Sequence, residues 1–192
     1  RTVFSGGNQE LNTAFFKTVL DEDEGTGQLR CLGDICKDTK NSSDVTSVTN
    51  MRNFSLLGDP AMLLAYPTHS VFVTEIPDTI KSLDLVQMSG FVGTSSGDTL
   101  HEFNGFIYPK VFDKRSQIST LDNDNVAGAF SYTMYRNVIH KGVSSVVNGA
   151  FEFEFVVPRD IDYTYGAGRV SLYAVDGDVD AHGATEDFVI GG

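Results

Sequence analysis

The strongest constraint on the fold of this chain is the strict alternation of residues 151–155, which read FEFEF. Successive side chains of a β-strand point to opposite faces, so this segment places three aromatic rings on one face and two carboxylates on the other. Such contrast is typical of a strand with one buried face and one solvated face. The Asn148-Gly149 pair just before it favours a type I′ hairpin turn. The sequence therefore predicts a β-hairpin over residues 143–157.

Strand-like segments continue through most of the chain after residue 68, and no helical period separates them. About seven of them follow one another at intervals of about ten residues, which is the pattern of an immunoglobulin-like β-sandwich. The abundance of Phe (14) and Gly (19), with no Trp, also favours strands and turns. The pattern leaves the strand order open. The predicted strands lie at 71–74, 83–88, 90–93, 103–112 with a break or bulge at Pro109, 131–135, 143–157, 170–174 and 188–190.

Residues 1–68 have a different character, because short apolar runs alternate with helical periods. We expect a strand at 2–5, a turn at Gly6-Gly7, and a helix over 9–20 capped by Asn8. A second helix is expected over 28–40, followed by a loop or frayed end over 41–50. One strand and two helices cannot bury their apolar faces alone. The segment is therefore interpreted as the edge of a larger α/β domain, with domains at 1–68 and 69–192.

The chain is acidic, with 26 Asp and Glu against 14 Lys and Arg and a net charge of −12. Nucleic acid is excluded as an expected partner, because phosphate binding requires a surplus of basic residues. The acidity is explained either by solubility or by loops that hold a divalent cation. No apolar run approaches the roughly 20 residues of a membrane helix. The sequence starts at Arg1 without an initiator Met, and we interpret the chain as an excised fragment.

The most specific cation candidate is the acidic stretch that begins at residue 176. Side chains at alternate positions of a loop can converge on Ca²⁺, which takes six to eight oxygen ligands. Ala181 stands where an EF-hand loop requires Gly, and the last acid is an Asp instead of the longer Glu. The alternative is an Asp-Gly turn with solvated carboxylates. Calcium is the one cofactor considered, and its candidate ligands are Asp176, Asp178, Asp180 and Asp187.

The two cysteines are expected to be structural. Cys31 and Cys36 would point about 140° apart on a helix that turns roughly 100° per residue, which disfavours a disulfide or a metal pair. Two buried core thiols are the expected state. A Cys–His nucleophile pair is disfavoured, since the cysteines occupy an apolar helix, and three of the histidines belong to the other domain while His69 lies at the boundary. The four histidines are His69, His101, His140 and His182.

Four tyrosines offer a further binding hypothesis. Exposed aromatic rings on a sandwich can form a platform for a sugar, although core packing and strand pairing explain the same residues. The tyrosines in question are Tyr132, Tyr135, Tyr163 and Tyr165.

Several strings resemble one family. Residues 51–61, MRNFSLLGDPA, are similar to the end of the catalytic domain of gingipain-type cysteine peptidases, and residues 32–41 resemble the helix before it. Residues 151–168, FEFEFVVPRDIDYTYGAG, and 190–192 resemble the immunoglobulin-like domain that follows in the type IX secretion sortases of this family. The resemblance implies a caspase-like peptidase remnant before the sandwich. It also implies a cell-surface enzyme of a Bacteroidetes-type bacterium that removes C-terminal sorting signals from secreted cargo.

The family's catalytic His and Cys precede the region represented by this chain, and no catalytic residue is assigned. The resemblance implies three kinds of partner: the rest of the parent peptidase, secretion components and cargo. The sandwich would then serve as structural support or as a docking module. The alternative is a free-standing surface-binding module of the adhesin or carbohydrate-binding type. A peptidase remnant should leave an apolar face of residues 1–66 open, whereas a binding module should complete its own core there.

Overall fold

The structure, a computed structural model, describes residues 5–21, 29–123 and 128–192. The chain forms two compact units, Arg1–Tyr66 and Pro67–Gly192. The described residues are mainly strand with a small helical part, which confirms the predicted mainly β fold. None of the helices in these ranges is long and apolar enough to cross a membrane.

The first unit contains the helices α1 (Ser5–Thr18), α2 (Leu32–Asn41) and α3 (Val48–Asn53). Its buried cluster is small and consists of Leu11, Ala14 and Val45, with Met51 packed against it. The hydroxyl of Ser47 caps α3 by accepting a hydrogen bond from the Asn50 backbone N–H. The helices are thus joined around only a few apolar side chains.

The start of the first unit differs from the sequence prediction. Of the strand expected at 2–5, residues 1–4 lie outside the described residues and Ser5 already belongs to α1. The expected turn at Gly6-Gly7 and cap at Asn8 are wrong, because these residues are helical. A Cβ at Gly7 would lie 2.6 Å from the Ser47 Cβ, so the glycine here allows close packing.

The later helices also differ in extent. The helix expected over 28–40 begins only at Leu32, and Cys31 instead forms an isolated antiparallel bridge with Leu63. Residue 28 lies outside the described residues. The backbone N–H of Leu32 donates to the Met62 carbonyl at 2.9 Å, so the chain before α2 is bound to the segment after α3. The polar stretch 41–50 is partly helical because the Ser47 cap starts α3 within it.

The second unit consists of thirteen described strands. They are β1 (His69–Glu75), β2 (Thr79–Ile80), β3 (Leu85–Gly93), β4 (Gly105–Phe112), β5 (Ser116–Ser119), β6 (Ser131–Met134), β7 (Val138–Lys141), β8 (Ser144–Val147), β9 (Ala150–Val156), β10 (Gly166–Ala167), β11 (Arg169–Asp176), β12 (Val179–Thr185) and β13 (Val189–Ile190).

The large sheet closes on itself. Its strand order is β11-β12-β1-β3-β9-β8-β4-β7, and β11 also pairs with β4. All pairings in this ring are antiparallel except the short parallel contact of β1 with β12. Two small sheets lie beside it, one of β10, β13 and β2, and one of β5 and β6. The closed ladder leaves few unpaired backbone groups around the core.

The hairpin predicted from the FEFEF run is confirmed. β8 and β9 pair across a turn in which Asn148 has φ 51° and Gly149 has φ 77°, as a type I′ turn requires. The three phenylalanines of β9 are buried and its two glutamates are exposed. The rings join a core supplied by inward positions of the other strands. The alternation therefore specifies both the strand and its buried face.

The break expected at Pro109 is wrong, because β4 runs continuously through this residue. β4 pairs with β8 through residues 105–107 and with β7 through residues 110–112. Pro109 lies between these two stretches, so its missing N–H removes no bond from either ladder. The register of β4 with β7 shifts between Val111 and Phe112, so the bulge expected at Pro109 does not lie at the proline itself.

Candidate functional site

The four predicted calcium ligands are spread over the end of the β11–β12 hairpin and the segment after it. A carboxylate oxygen of Asp176 accepts a hydrogen bond from the Asn104 N–H at 3.0 Å, and Asp180 accepts one from the Tyr173 hydroxyl at 3.2 Å. Asp187 accepts one from the Thr185 hydroxyl at 3.0 Å.

The register of the hairpin separates two of these ligands. Val175 lies opposite Asp180, so Asp180 points to the same face as Val175, whereas the next residue, Asp176, points to the other face. Within the described ranges, no group of three or more His, Cys, Asp or Glu side chains is placed to hold a metal ion. Calcium binding stays a prediction of the sequence, and titration of metal-free protein with Ca²⁺ tests it. No heat and no shift in melting temperature would reject it.

The cysteines and histidines lie in different units. Cys31 and Cys36 are in the first unit, both as free thiols. They are half-buried, not buried as expected. The Cys31 thiol donates to an Asp34 carboxylate oxygen at 3.3 Å at the start of α2. All four histidines lie in the second unit.

One histidine has a perturbed pKa for a structural reason. The His140 ring stacks on Phe155, with centroids 4.6 Å apart and planes 17° from parallel. It also stacks on Phe153 at 6.1 Å. Burial against these rings lowers the pKa of His140, because the charged imidazolium loses hydration. The His140 ring therefore packs as part of the aromatic cluster of β9.

The four tyrosines proposed as a sugar platform serve separate contacts. Tyr132 stacks on Phe130, and Tyr135 lies under the Arg115 guanidinium at 4.8 Å. The Tyr163 hydroxyl donates to the Arg159 carbonyl at 2.7 Å. Tyr165 is exposed. Among the described residues, no ring stacking joins any two of these four tyrosines, so a shared platform stays a prediction of the sequence.

A different aromatic surface lies on the outer face of the sheet. Tyr108 of β4 is directly opposite Tyr173 of β11, and their ring centroids are 6.3 Å apart. Phe106 is on the same face and is half exposed. The two-residue period of 170–174 already places Tyr173 outward, but the pairing of β4 with β11 is needed to bring Tyr108 beside it. Desolvation and the bond to Asp180 raise the pKa of Tyr173.

The described part of the first unit contains an apolar groove of about 700 Å³. It lies between α1, α2 and the segment that follows α3. We call it the α1–α2 groove. Its apolar lining consists of Leu11, Phe15, Leu32, Cys36, Phe54 and Leu56, and polar lining is supplied by Asn8, Gln9, Asn12, Thr39, Lys40 and Ser55.

Two polar side chains of the groove, Lys40 and Thr39, have notable hydrogen-bonding states. The Lys40 ammonium donates a hydrogen bond to the Phe54 carbonyl at 2.6 Å. This bond links α2 to the segment after α3 and occupies the ammonium group of Lys40. Thr39 is 6% exposed, and its hydroxyl has no hydrogen-bond partner among the described residues. The helical period of residues 9–20 predicts apolar positions on α1, but it does not reveal that Phe15 remains 37% exposed.

The first unit also contains a charged clamp between helices. The Glu10 carboxylate accepts hydrogen bonds from the Thr46 N–H at 2.8 Å, the Thr46 hydroxyl at 2.9 Å and the Ser47 N–H at 3.2 Å. These bonds favour the ionised form and lower the pKa of Glu10. The clamp joins α1 to the start of α3.

Comparisons with known proteins match both units. Residues 1–65 match the model of peptidase family C25. The crystal structure of dimeric latent PorU from Porphyromonas gingivalis matches 91% of this chain with 26% sequence identity and a TM-score of 0.60. The chain spans 17% of the length of that protein.

A more distant match is Spo0M, a sporulation control protein from Bacillus subtilis. It has 17% identity and a TM-score of 0.37, over 66% of this chain and 51% of Spo0M. No curated protein matches the sequence. The C25 match at residues 1–65 and the match to PorU along 91% of the chain support a relationship to the gingipain-type, PorU-like family.

Proposed function

We propose that this chain is a non-catalytic segment of a cell-surface cysteine peptidase of the PorU type. Residues 1–68 would be the end of the peptidase domain, and residues 69–192 the β domain that follows it. The observation that carries the proposal is the continuity of the PorU match through both units, together with a C25 match that stops near the unit boundary. The parent would remove C-terminal sorting signals from type IX secretion cargo, at the cell surface or outer membrane of a Bacteroidetes-type bacterium.

The catalytic His and Cys of the parent would come from outside these 192 residues. Within the described residues, the two free thiols sit beside Asp34 and in an apolar groove, and all four histidines belong to the β unit. A thiol nucleophile needs a base that can take its proton. We therefore assign no catalytic role to any residue of this chain.

The β unit would act as a support or docking module of immunoglobulin-like type. Its closed ladder and continuous core favour a rigid body. An immunoglobulin sandwich has two separate sheets, whereas the pairing of β11 with β4 joins the strands of this unit into one closed sheet. The proposed relation to the immunoglobulin fold therefore depends on the resemblance to PorU. Expected partners are the rest of the parent chain, secretion components and cargo.

The parent gene and its product test this proposal. The reading frame that contains this chain should encode, upstream, an α/β segment with a His and a Cys. The purified parent should cleave a cargo protein that ends in a sorting signal, and the 192-residue chain alone should not. A parent with its upstream cysteine changed to alanine is the matched control. An upstream sequence without both residues would reject the assignment.

A free-standing binding module is the second candidate, favoured by the outward aromatic rings of Tyr108 and Tyr173. Exposed tyrosines provide flat apolar area together with a hydroxyl, as saccharide sites require. A glycan array with the 192-residue chain tests it. Binding that is lost in Tyr173→Ser but retained in Tyr165→Ser supports the module, and the absence of any bound glycan rejects it.

A further inference from the structure

The outer face of β4 combines aromatic rings with cations. Side chains two residues apart on a strand share a face, and the registers of β4 with β7 and with β11 add side chains from both neighbours. Six of these side chains, which we call the β4 outer face, are Phe106, Tyr108, Lys110, Lys141, Arg169 and Tyr173. The face is therefore both apolar and cationic, on a chain whose net charge is −12.

Two lysines of this face lie directly opposite each other. Lys110 of β4 is in register with Lys141 of β7, and both side chains are exposed. Like charges at opposed positions destabilise a sheet. Among the described residues, no ion pair includes either lysine, and the Lys110 ammonium lies over the Phe112 ring at 4.8 Å. The fold thus keeps two cations side by side against its own stability, as expected of groups that serve a contact.

The acidic groups beside this face already have partners. A Glu186 carboxylate oxygen lies 2.9 Å from the Arg169 guanidinium, and the other lies 3.5 Å from that of Arg115. Asp180 accepts a hydrogen bond from the Tyr173 hydroxyl at 3.2 Å. The lysine pair is therefore the part of the face at which an incoming carboxylate gains the most.

Charge is segregated around the closed sheet. β9 directs Glu152 and Glu154 outward, and their partners in register on β3 are Ser89 and Gln87. Glu75, at the end of β1, accepts a hydrogen bond from the Ser89 hydroxyl at 3.1 Å. The outer face around β9 is acidic, so a negatively charged partner is directed to the β4 outer face.

The aromatic rings determine which kind of anion fits. Tyr108 and Tyr173 are each 42% exposed, their centroids are 6.3 Å apart, and Phe106 is 53% exposed. Such rings gain by burial against other aromatic or apolar side chains. Along β4 the ring of Tyr108 and the cation of Lys110 are two residues apart, about 6.5–7 Å, which is also the repeat of side chains on one side of another extended chain. A polypeptide therefore matches the face in charge and in spacing.

We propose that the β4 outer face binds an extended acidic polypeptide segment of a partner protein. Its carboxylates pair with Lys110 and Lys141, and its aromatic side chains pack on Tyr108 and Tyr173. This inference rests on the docking role given to the β unit in the proposed function, and it adds the place of contact and the chemistry of the partner. Exposed ion pairs contribute little each, so the rings supply part of the affinity while the lysines select the charge.

Synthetic polymers test the proposal with the 192-residue chain. The probes are a fluorescein-labelled random copolymer of glutamate and tyrosine and labelled polyglutamate, each followed by fluorescence anisotropy at low ionic strength. The chain as a whole repels anions, so binding of either polymer reports a local cationic surface. We expect the copolymer to bind more tightly than polyglutamate and to be released by salt. Absence of copolymer binding would overturn the proposal.

A double variant tests the lysine pair. Lys110→Gln with Lys141→Gln should weaken copolymer binding by about three- to tenfold. The matched control is Lys81→Gln with Arg159→Gln, which removes the same charge from exposed residues outside the β4 outer face. The melting temperature of the lysine double variant should stay the same or rise, because an opposed like-charge pair is removed. Equal loss of binding in both double variants, or a lower melting temperature of the first, would argue against the proposal.

The rings are tested by a second pair of variants. Tyr173→Ser should reduce the preference for the copolymer over polyglutamate, whereas Tyr165→Ser should not. Polygalacturonate, an acidic polysaccharide, tests the saccharide alternative. Binding of polygalacturonate that exceeds copolymer binding and is lost in Tyr173→Ser would assign the face to a glycan and reject the polypeptide. Sedimentation of the chain as a dimer that the lysine double variant dissociates would assign the face to a second copy and reject it as well.

The outcomes separate this inference from the function on which it rests. A parent that contains the upstream His and Cys and cleaves its cargo, combined with no copolymer binding, rejects only the docking surface. A reading frame without these residues, combined with copolymer binding that depends on the lysines, rejects the peptidase parent and retains the surface.

Discussion

The turn between β8 and β9 offers a sharp test of how the sequence fixes the β unit. Gly149 has φ 77°, and a Cβ added there would lie 2.4 Å from the Leu100 carbonyl oxygen. Gly149→Ala therefore introduces both a strained backbone and a clash with main-chain atoms. Gly97→Ala is the matched control, because Gly97 has φ 91° and nothing lies within 4 Å of its Cβ position.

The expected magnitudes follow from these two terms. A side chain in the left-handed region costs about 1–2 kcal/mol, and this applies to both variants. Overpacking against fixed atoms adds about 1–3 kcal/mol, and this applies only to Gly149. Gly149→Ala should therefore lower the free energy of unfolding by about 2–5 kcal/mol and Gly97→Ala by about 1–2 kcal/mol.

Urea unfolding followed by tyrosine fluorescence measures the difference. The chain has no Trp, and every tyrosine except Tyr66 lies in the second unit, so the signal reports mainly on that unit. With a slope of about 2 kcal/mol per molar urea, the Gly149 variant should shift the midpoint by about 1–2.5 M. Equal shifts for the two variants would refute the role of the close approach to Leu100.

Three further perturbations follow from the titratable groups. Burial lowers the pKa of His140, so the imidazole binds a proton more tightly in the unfolded chain than in the folded one. The natural protein should therefore lose stability relative to His140→Phe as the pH falls below 6.5. Urea midpoints of the two proteins that change in parallel from pH 7.5 to 5.5 would contradict this. Asp113, 2% exposed, forms an ion pair with Lys114 at 2.9 Å. Asp113→Ala should lower the free energy of unfolding, measured in urea, by about 3–5 kcal/mol. A decrease below about 1 kcal/mol would show that the pair is dispensable. The hydrogen bonds from Thr46 lower the pKa of Glu10, so the Glu10 clamp should stabilise the helices above pH 4.5 and lose this effect as the pH falls further. The helical circular dichroism signal of Glu10→Gln should therefore change less on acidification than that of the natural protein. Identical acid titrations of the two proteins would count against the clamp.

In the β unit, local sequence patterns were sufficient to predict a strand and its buried face where side-chain alternation and turn residues agree. The Phe and Glu residues of 151–155 specify the buried face of β9, and Asn148-Gly149 specifies its turn. Both signals act between neighbouring residues, so they can be recognised without knowing the rest of the fold. Family resemblance at LLGDPA was likewise visible in the residues themselves and agrees with the C25 match.

The first unit shows where local patterns fail. Gly6-Gly7 has the composition of a turn, but both residues are helical, and the missing Cβ of Gly7 leaves room for Ser47 to pack against α1. The stretch 41–50 has the composition of a loop, but the Ser47 cap starts α3. In both places a contact or a cap outweighs the intrinsic preference of a few residues.

The sequence by itself indicated a short helix-containing segment, interpreted as an α/β remnant that resembles the end of a peptidase domain, followed by an all-β unit, because residue periodicity and motif identity are properties of neighbouring residues. Only the tertiary structure decided that β11 pairs with β4 to close the sheet, and that the Thr39 hydroxyl is buried with no hydrogen-bond partner among the described residues. These features depend on which distant segments meet, and that choice is made by the packing of the whole core.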